Sequence, residues 1–124
     1  MFDKEIVDNL LDNMIDATNK ITTRTININS SDDFLQNDTN MILLDSVCMQ
    51  LIAIGEAVKE IDKLTNKKLL KNYENIPWEQ VAGIRDILSH HYFDLNADIV
   101  FDVCSNHIVG LRDTLTKIKS DIIA

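Results

Sequence analysis

Apolar residues recur along most of this chain at intervals of three and four, the period of a helix buried on one side. In "DKEIVDNLLDNMIDATNKI", Ile6, Leu10, Met14 and Ile21 fall on one stripe, which predicts an amphipathic helix over about residues 3–24. Asn and Ser then break the pattern in "TININSSDDFLQND", and "SSDDF" reads as a cap on one short turn at Asp32–Leu35. From about residue 38 to 62 the apolar positions cover more than one face. That predicts a long central helix, with Asp38 as a possible N-cap. Gly55 inside it costs about 1 kcal/mol against alanine, so close packing at that backbone is expected.

Downstream, "NKKLLKNY" predicts a short basic helix near 66–72. Pro77 suits a first helical turn, where its missing N–H does no harm, and opens a helix over about 77–91. A last long helix is expected at about 96–121. No repeat and no low-complexity segment interrupts the series. The expectation is one all-α domain over residues 1–124, an antiparallel up-and-down bundle of four main helices plus a short fifth.

Composition supports this. There are only three Gly and one Pro, and 45% of the residues are apolar, enough for one core. Met1 leads directly into "FDKEIVDNLLDNMIDAT" without an export signal, and no apolar run is expected to reach the ~18 residues of a membrane span. A cytoplasmic chain with no membrane partner is therefore expected. Cys48 and Cys104 lie in apolar helical patterns and read as buried free thiols. The net charge of −8 argues against a broad basic surface for nucleic acid. It is uneven: residues 1–62 hold four basic and twelve acidic side chains, residues 63–124 eight of each. An anion site belongs in the second half, as a local cluster.

The stretch "RDILSHHY", residues 85–92, concentrates candidate chemistry. With Arg85 at zero on a helical wheel, Tyr92 falls at about −20°, Ser89 at about 40°, Asp86 at about 100° and His90 at about 140°. These five share one polar arc, beside Ala82 and Gly83. Val81, Ile84, Ile87 and Leu88 lie opposite, and His91 falls on their side. Adjacent histidines diverge by about 100°, and no cysteine or carboxylate set completes a sphere, so neither a metal centre nor a cofactor is expected. Arginine holds phosphate charge and histidine moves protons near neutral pH, which suits a phosphodiester; a solvated helix face is the plainer reading of spacing alone.

Beyond spacing, Arg85, His90 and Tyr92 resemble the R-x4-H-x-Y signature of HEPN toxins, in the HepT-like branch paired with minimal nucleotidyltransferase antitoxins. "QLIAIGEAVKEI" (50–61) resembles that branch's IGEA helix, and "IPWEQVAGIRDILSHHYFDLN" (76–96) its P-W to H-x-Y block. "VFDVCSNHIVGLRD" also fits, and the resemblance covers about residues 38–118. Two departures occur: Asp86 stands where asparagine is common, and "NHIVGL" replaces a proline-containing segment.

The resemblance implies a homodimer whose motif helices meet at the two-fold axis, forming a metal-independent endoribonuclease acting on RNA. It assigns Arg85 to phosphorane charge, His90 to acid–base work and Asp86 to orienting them, with Ser89 as a possible accessory. It implies that a nucleotidyltransferase antitoxin places AMP on Tyr92. The alternative is a non-catalytic nucleotide-binding or docking partner of such an enzyme. Trp78 reads as a packing anchor, Gly55–Glu56 and His107 as structural, and Lys67, Lys68 and Lys71 as a solvated basic face.

Overall fold

A computed structural model describes residues 2–88 and 96–123. Among them are six α-helices and no strand: α1 (Lys4–Arg24), α2 (Asp38–Leu64), α3 (Trp78–Ala82), α4 (Ile84–Leu88), α5 (Ala97–Asn106) and α6 (Ile108–Ile123). Two 3-10 turns, Ser31–Leu35 and Leu70–Asn72, lie in the connections.

Helix α1 starts where Asp3 accepts hydrogen bonds from the backbone N–H groups of Glu5 and Ile6, at 3.0 and 3.2 Å. Its inward stripe is Val7, Leu11, Met14 and Ile21, each no more than 1% exposed. Burial of each such side chain contributes roughly 1.5–3 kcal/mol. The stripe packs on both α2 and α6. Lys119, near the end of α6, donates to Asp8 at 2.7 Å and lies 3.0 Å from Asp12, near the start of α1. Arg24, at the end of α1, donates to Ser46, early in α2, at 2.9 Å. Helix α1 therefore runs antiparallel to both neighbours. Phe34, fully buried, closes the α1–α2 connection under α5.

The sequence expectations hold for the first half with two shifts. The inward stripe of α1 runs through Val7 and Leu11 rather than Ile6 and Leu10, and Ile6 is 46% exposed. Asn37, not Asp38, caps α2, accepting from the N–H of Asn40 at 2.9 Å, and Asp38 is the first helical residue. Pro77 likewise stands just before α3 rather than inside it.

Four further expectations are corrected. The helix expected at 77–91 breaks at Gly83 into α3 and α4, and the one expected at 96–121 breaks at His107 into α5 and α6. The basic helix expected at 66–72 shrinks to the turn Leu70–Asn72, because Asn66 and Lys67 take left-handed backbone angles, φ 53° and 60°, that end α2. A span-length apolar run does exist: α2 holds an 18-residue window of mean hydropathy 1.8. Leu44, Val47, Leu51, Ile54, Val58 and Ile61 are buried against the other helices, as a central helix requires.

Candidate active site

The segment that carries Arg85 is held from both sides. Ahead of it, Tyr73 donates its hydroxyl to Asp121 at 2.7 Å, Asn75 donates to Thr114 Oγ1 at 2.8 Å, and Trp78 Nε1–H donates to the Tyr73 carbonyl at 2.9 Å. The loop before α3 is thereby pinned to α6, and Trp78, half-buried, packs against the core as an anchor. Behind it, α3 presses onto α2 at Gly55. A Cβ there would meet the Val81 carbonyl oxygen at 2.7 Å and Ile84 Cγ2 at 3.1 Å. Only a glycine lets the two backbones come this close.

Gly83 then ends α3, its N–H bonding to the Glu79 carbonyl at 3.0 Å. Helix α4 restarts with the N–H of Asp86 on the Gly83 carbonyl at 3.1 Å. Leu88, 1% exposed, anchors α4 in the core. Arg85 and Asp86 are exposed on its outer face. These two expected site residues therefore share the surface the wheel assigned them, whereas Ser89, His90, His91 and Tyr92 lie outside the described residues. Glu56, beside Gly55, is exposed and 3.5 Å from Lys59.

Burial pushes both free thiols up to about 11; for Cys48 the nearby Asp45 and Cys104 add to it. Burial, and then the bond to Asp121, pushes the Tyr73 phenol up to about 12. The same bond holds the Asp121 carboxyl below the ordinary value. Among the described residues, no three His, Cys, Asp or Glu side chains gather as a metal-binding group.

The sequence did not announce one feature next to α4. A cleft of about 380 Å³ opens between α3–α4 and the elbow of α5 and α6, walled by aliphatic side chains that include Ile84 and Ile87 of α4. Gly110 lies on its α6 wall, and a Cβ there would meet nothing within 4 Å. That glycine was the one available signal, in a helix pattern with no turn to explain it.

A family model, ribonuclease HepT-like, matches residues 14–118. A candidate RNase of Methanocaldococcus jannaschii is 31% identical over 118 residues, covering 95% of this chain and 84% of its own length. A second candidate RNase of that organism is 32% identical over 97 residues, covering 78% of this chain and 80% of its own. One from Caldanaerobacter subterraneus subsp. tengcongensis is 32% identical over 89 residues, covering 72% and 73%. No solved structure gives a significant match.

Proposed function

This chain belongs to the ribonuclease HepT-like family, and from that premise we propose that it is the toxin of a toxin–antitoxin pair, a metal-independent RNA endonuclease acting in the cytoplasm. The observation that carries the reading is the exposed Arg85–Asp86 pair on a segment pinned to α2 and α6, at the head of the R-x4-H-x-Y spacing. Catalysis by fixed charge needs this arrangement, a cation presented outward from a backbone that does not shift.

In the proposed reaction the ribose 2'-oxygen attacks the adjacent phosphorus and the 5'-oxygen leaves. His90 moves the proton between the attacking hydroxyl and the departing oxygen. Arg85 holds the charge that builds on the phosphoryl oxygens, and its planar fork suits two of them at once. Asp86 orients Arg85 and His90, with Ser89 assisting. Two copies pair so that their motif segments form one cleft. A nucleotidyltransferase antitoxin silences the site by transferring AMP from ATP to the Tyr92 hydroxyl, releasing pyrophosphate. A bulky anion placed there fills the cleft and occupies Arg85.

The test is expression without the partner, comparing growth and RNA integrity with Arg85→Ala and His90→Ala. Wild-type protein should arrest growth and fragment RNA, and both variants should not. Folded, unmodified wild type that leaves RNA intact would overturn the reading in favour of a docking subunit, which the net charge of −8 would suit.

A further inference from the structure

The cleft beside α4 has a composition that sets it apart from a packing defect. Its walls are aliphatic: Ile54 of α2, Val81 of α3, Ile84 and Ile87 of α4, Ile99 and Val103 of α5. Its edge is polar and ordered. Asp102 accepts from Asn106 Nδ2 at 2.7 Å and lies 3.3 Å from His107 Nε2, so three side chains at the α5–α6 elbow form one connected rim. Gln80 faces the same opening from α3. A volume of about 380 Å³ with a few converging polar groups is the pattern of a small-ligand pocket.

We propose that this cleft is a subsite for a purine base of the RNA. The proposal deepens the ribonuclease reading and rests on it. A flat bicyclic ring fits between aliphatic walls, where it gains dispersion contacts on both faces. Asp102 is an acceptor with lone pairs to spare beyond Asn106 and His107, so it suits the exocyclic amino group of adenine or the amino and imino N–H groups of guanine. The same carboxylate repels a phosphate, which leaves the backbone of the RNA outside. Ile84 and Ile87 line the cleft, and Arg85 stands between them in sequence on the exposed face of α4. Ile84 precedes Arg85 by one residue and about 100° around the helix, so a nucleotide with its base in the cleft can extend its phosphate round α4 towards Arg85. An aliphatic side chain from a protein partner would fill the walls equally well, but it would strip water from the Asp102–Asn106–His107 rim and return no hydrogen bond.

Gly110 makes the cleft testable. A side chain there enters open space, so Gly110→Leu fills the cleft from a helical, exposed position. Asp102→Asn changes the rim instead. The full-length protein is titrated with adenosine, guanosine and cytidine by NMR, and cleavage is followed on short RNAs that differ in the base flanking the scissile bond. The purine nucleosides should shift resonances of Ile84, Ile87 and Val103, and cytidine should not. Gly110→Leu should abolish those shifts and raise KM for RNA about tenfold or more, the loss falling on KM rather than kcat. Asp102→Asn should weaken the purine preference. The subsite is overturned if wild type gives no purine-specific shifts, or if both variants leave KM and base preference unchanged. It is equally overturned if Gly110→Leu alters the oligomeric state without altering nucleoside binding, which would assign the cleft to a protein contact. A wild type that binds purine nucleosides but cuts no RNA would defeat the ribonuclease reading and leave the pocket standing.

Discussion

The Cβ that Gly55 lacks would lie 2.7 Å from the carbonyl oxygen of Val81, closer than real Cβ contacts come. The motif segment is seated on α2 through this absence. Gly55→Ala therefore tests two opposed effects. Helix propensity favours alanine by about 1 kcal/mol, while pushing α3 away costs roughly 1–3 kcal/mol. The obstacle is backbone and cannot rotate aside, so packing wins. Urea denaturation should show Gly55→Ala less stable by up to about 2 kcal/mol. Gly110→Ala, the same change where nothing stands within 4 Å, should be neutral or stabilising by up to about 1 kcal/mol. Equal effects at the two positions would contradict the seating of α3 on α2.

Arg85→Lys separates charge from geometry at the proposed site. A lysine keeps the positive charge but loses the planar fork that grips two phosphoryl oxygens. Single-turnover cleavage should fall for Arg85→Lys and fall further for Arg85→Ala, with His90→Ala lower by about 10²–10⁴-fold. Arg85 is exposed, so its variants should unfold within about 1 kcal/mol of wild type. Full cleavage by Arg85→Lys would mean that only its charge matters.

The bond between Tyr73 and Asp121 makes stability depend on pH at both extremes. Asp121 is held low by the phenol that donates to it, so its contribution exists above the ordinary carboxylate range and is lost as pH falls through its folded value. Tyr73 is pushed up to about 12, so its contribution is present below the ordinary phenol value of about 10 and is lost as pH rises towards 12. Tyr73→Phe should flatten both limbs of a plot of urea midpoint against pH. An unchanged alkaline limb would show that the phenol titrates in the folded protein as it does unfolded.

Both thiols are pushed up to about 11, chiefly by burial, and at neutral pH almost none of either is thiolate. Iodoacetamide should therefore modify the native protein far more slowly than the urea-unfolded chain. Cys104, half-buried, should react ahead of buried Cys48, and the native rate should climb steadily above pH 9. Rapid native alkylation of Cys48 at pH 7 would show that α2 opens at that point.

These contacts explain which features could be read from the residues. The two long helices were legible because caps and stripes coincide: Asp3 begins α1, and the apolar stripe of α2 runs from Leu44 to Ile61. Gly55 announced a close approach because a glycine in a long helix has no turn to serve. The breaks at Gly83 and His107 were hidden, since one non-helical residue barely disturbs the phase: Val100 and Ile108 are both buried on either side of His107. The shortening of the basic helix expected at 66–72 was hidden for a different reason. Asparagine tolerates left-handed angles, but nothing in Lys67 marks it for one. Of the expected site, Arg85 and Asp86 were correctly placed outward because Leu88 points in. The cleft was illegible, since its walls come from α2 to α6 and no local pattern encodes their separation.

Tyr92 carries the proposed off-switch, and its chemistry differs from that of the residues proposed to cut RNA. A phenol is a nucleophile for the α-phosphorus of ATP, and in the proposed reading its esterification sets an anionic nucleotide against the charge of Arg85. Incubation with a small nucleotidyltransferase partner and ATP should raise the intact mass by one or more AMP units, and ribonuclease activity should fall in step with that gain. Tyr92→Phe should cut RNA at close to the wild-type rate, gain no mass, and remain toxic when the partner is co-expressed. If Tyr92→Phe still gains AMP, the acceptor is another residue. If the modified wild type keeps cutting RNA, the modification serves something other than silencing, because in the proposed reading the added nucleotide competes with the substrate for the charge of Arg85.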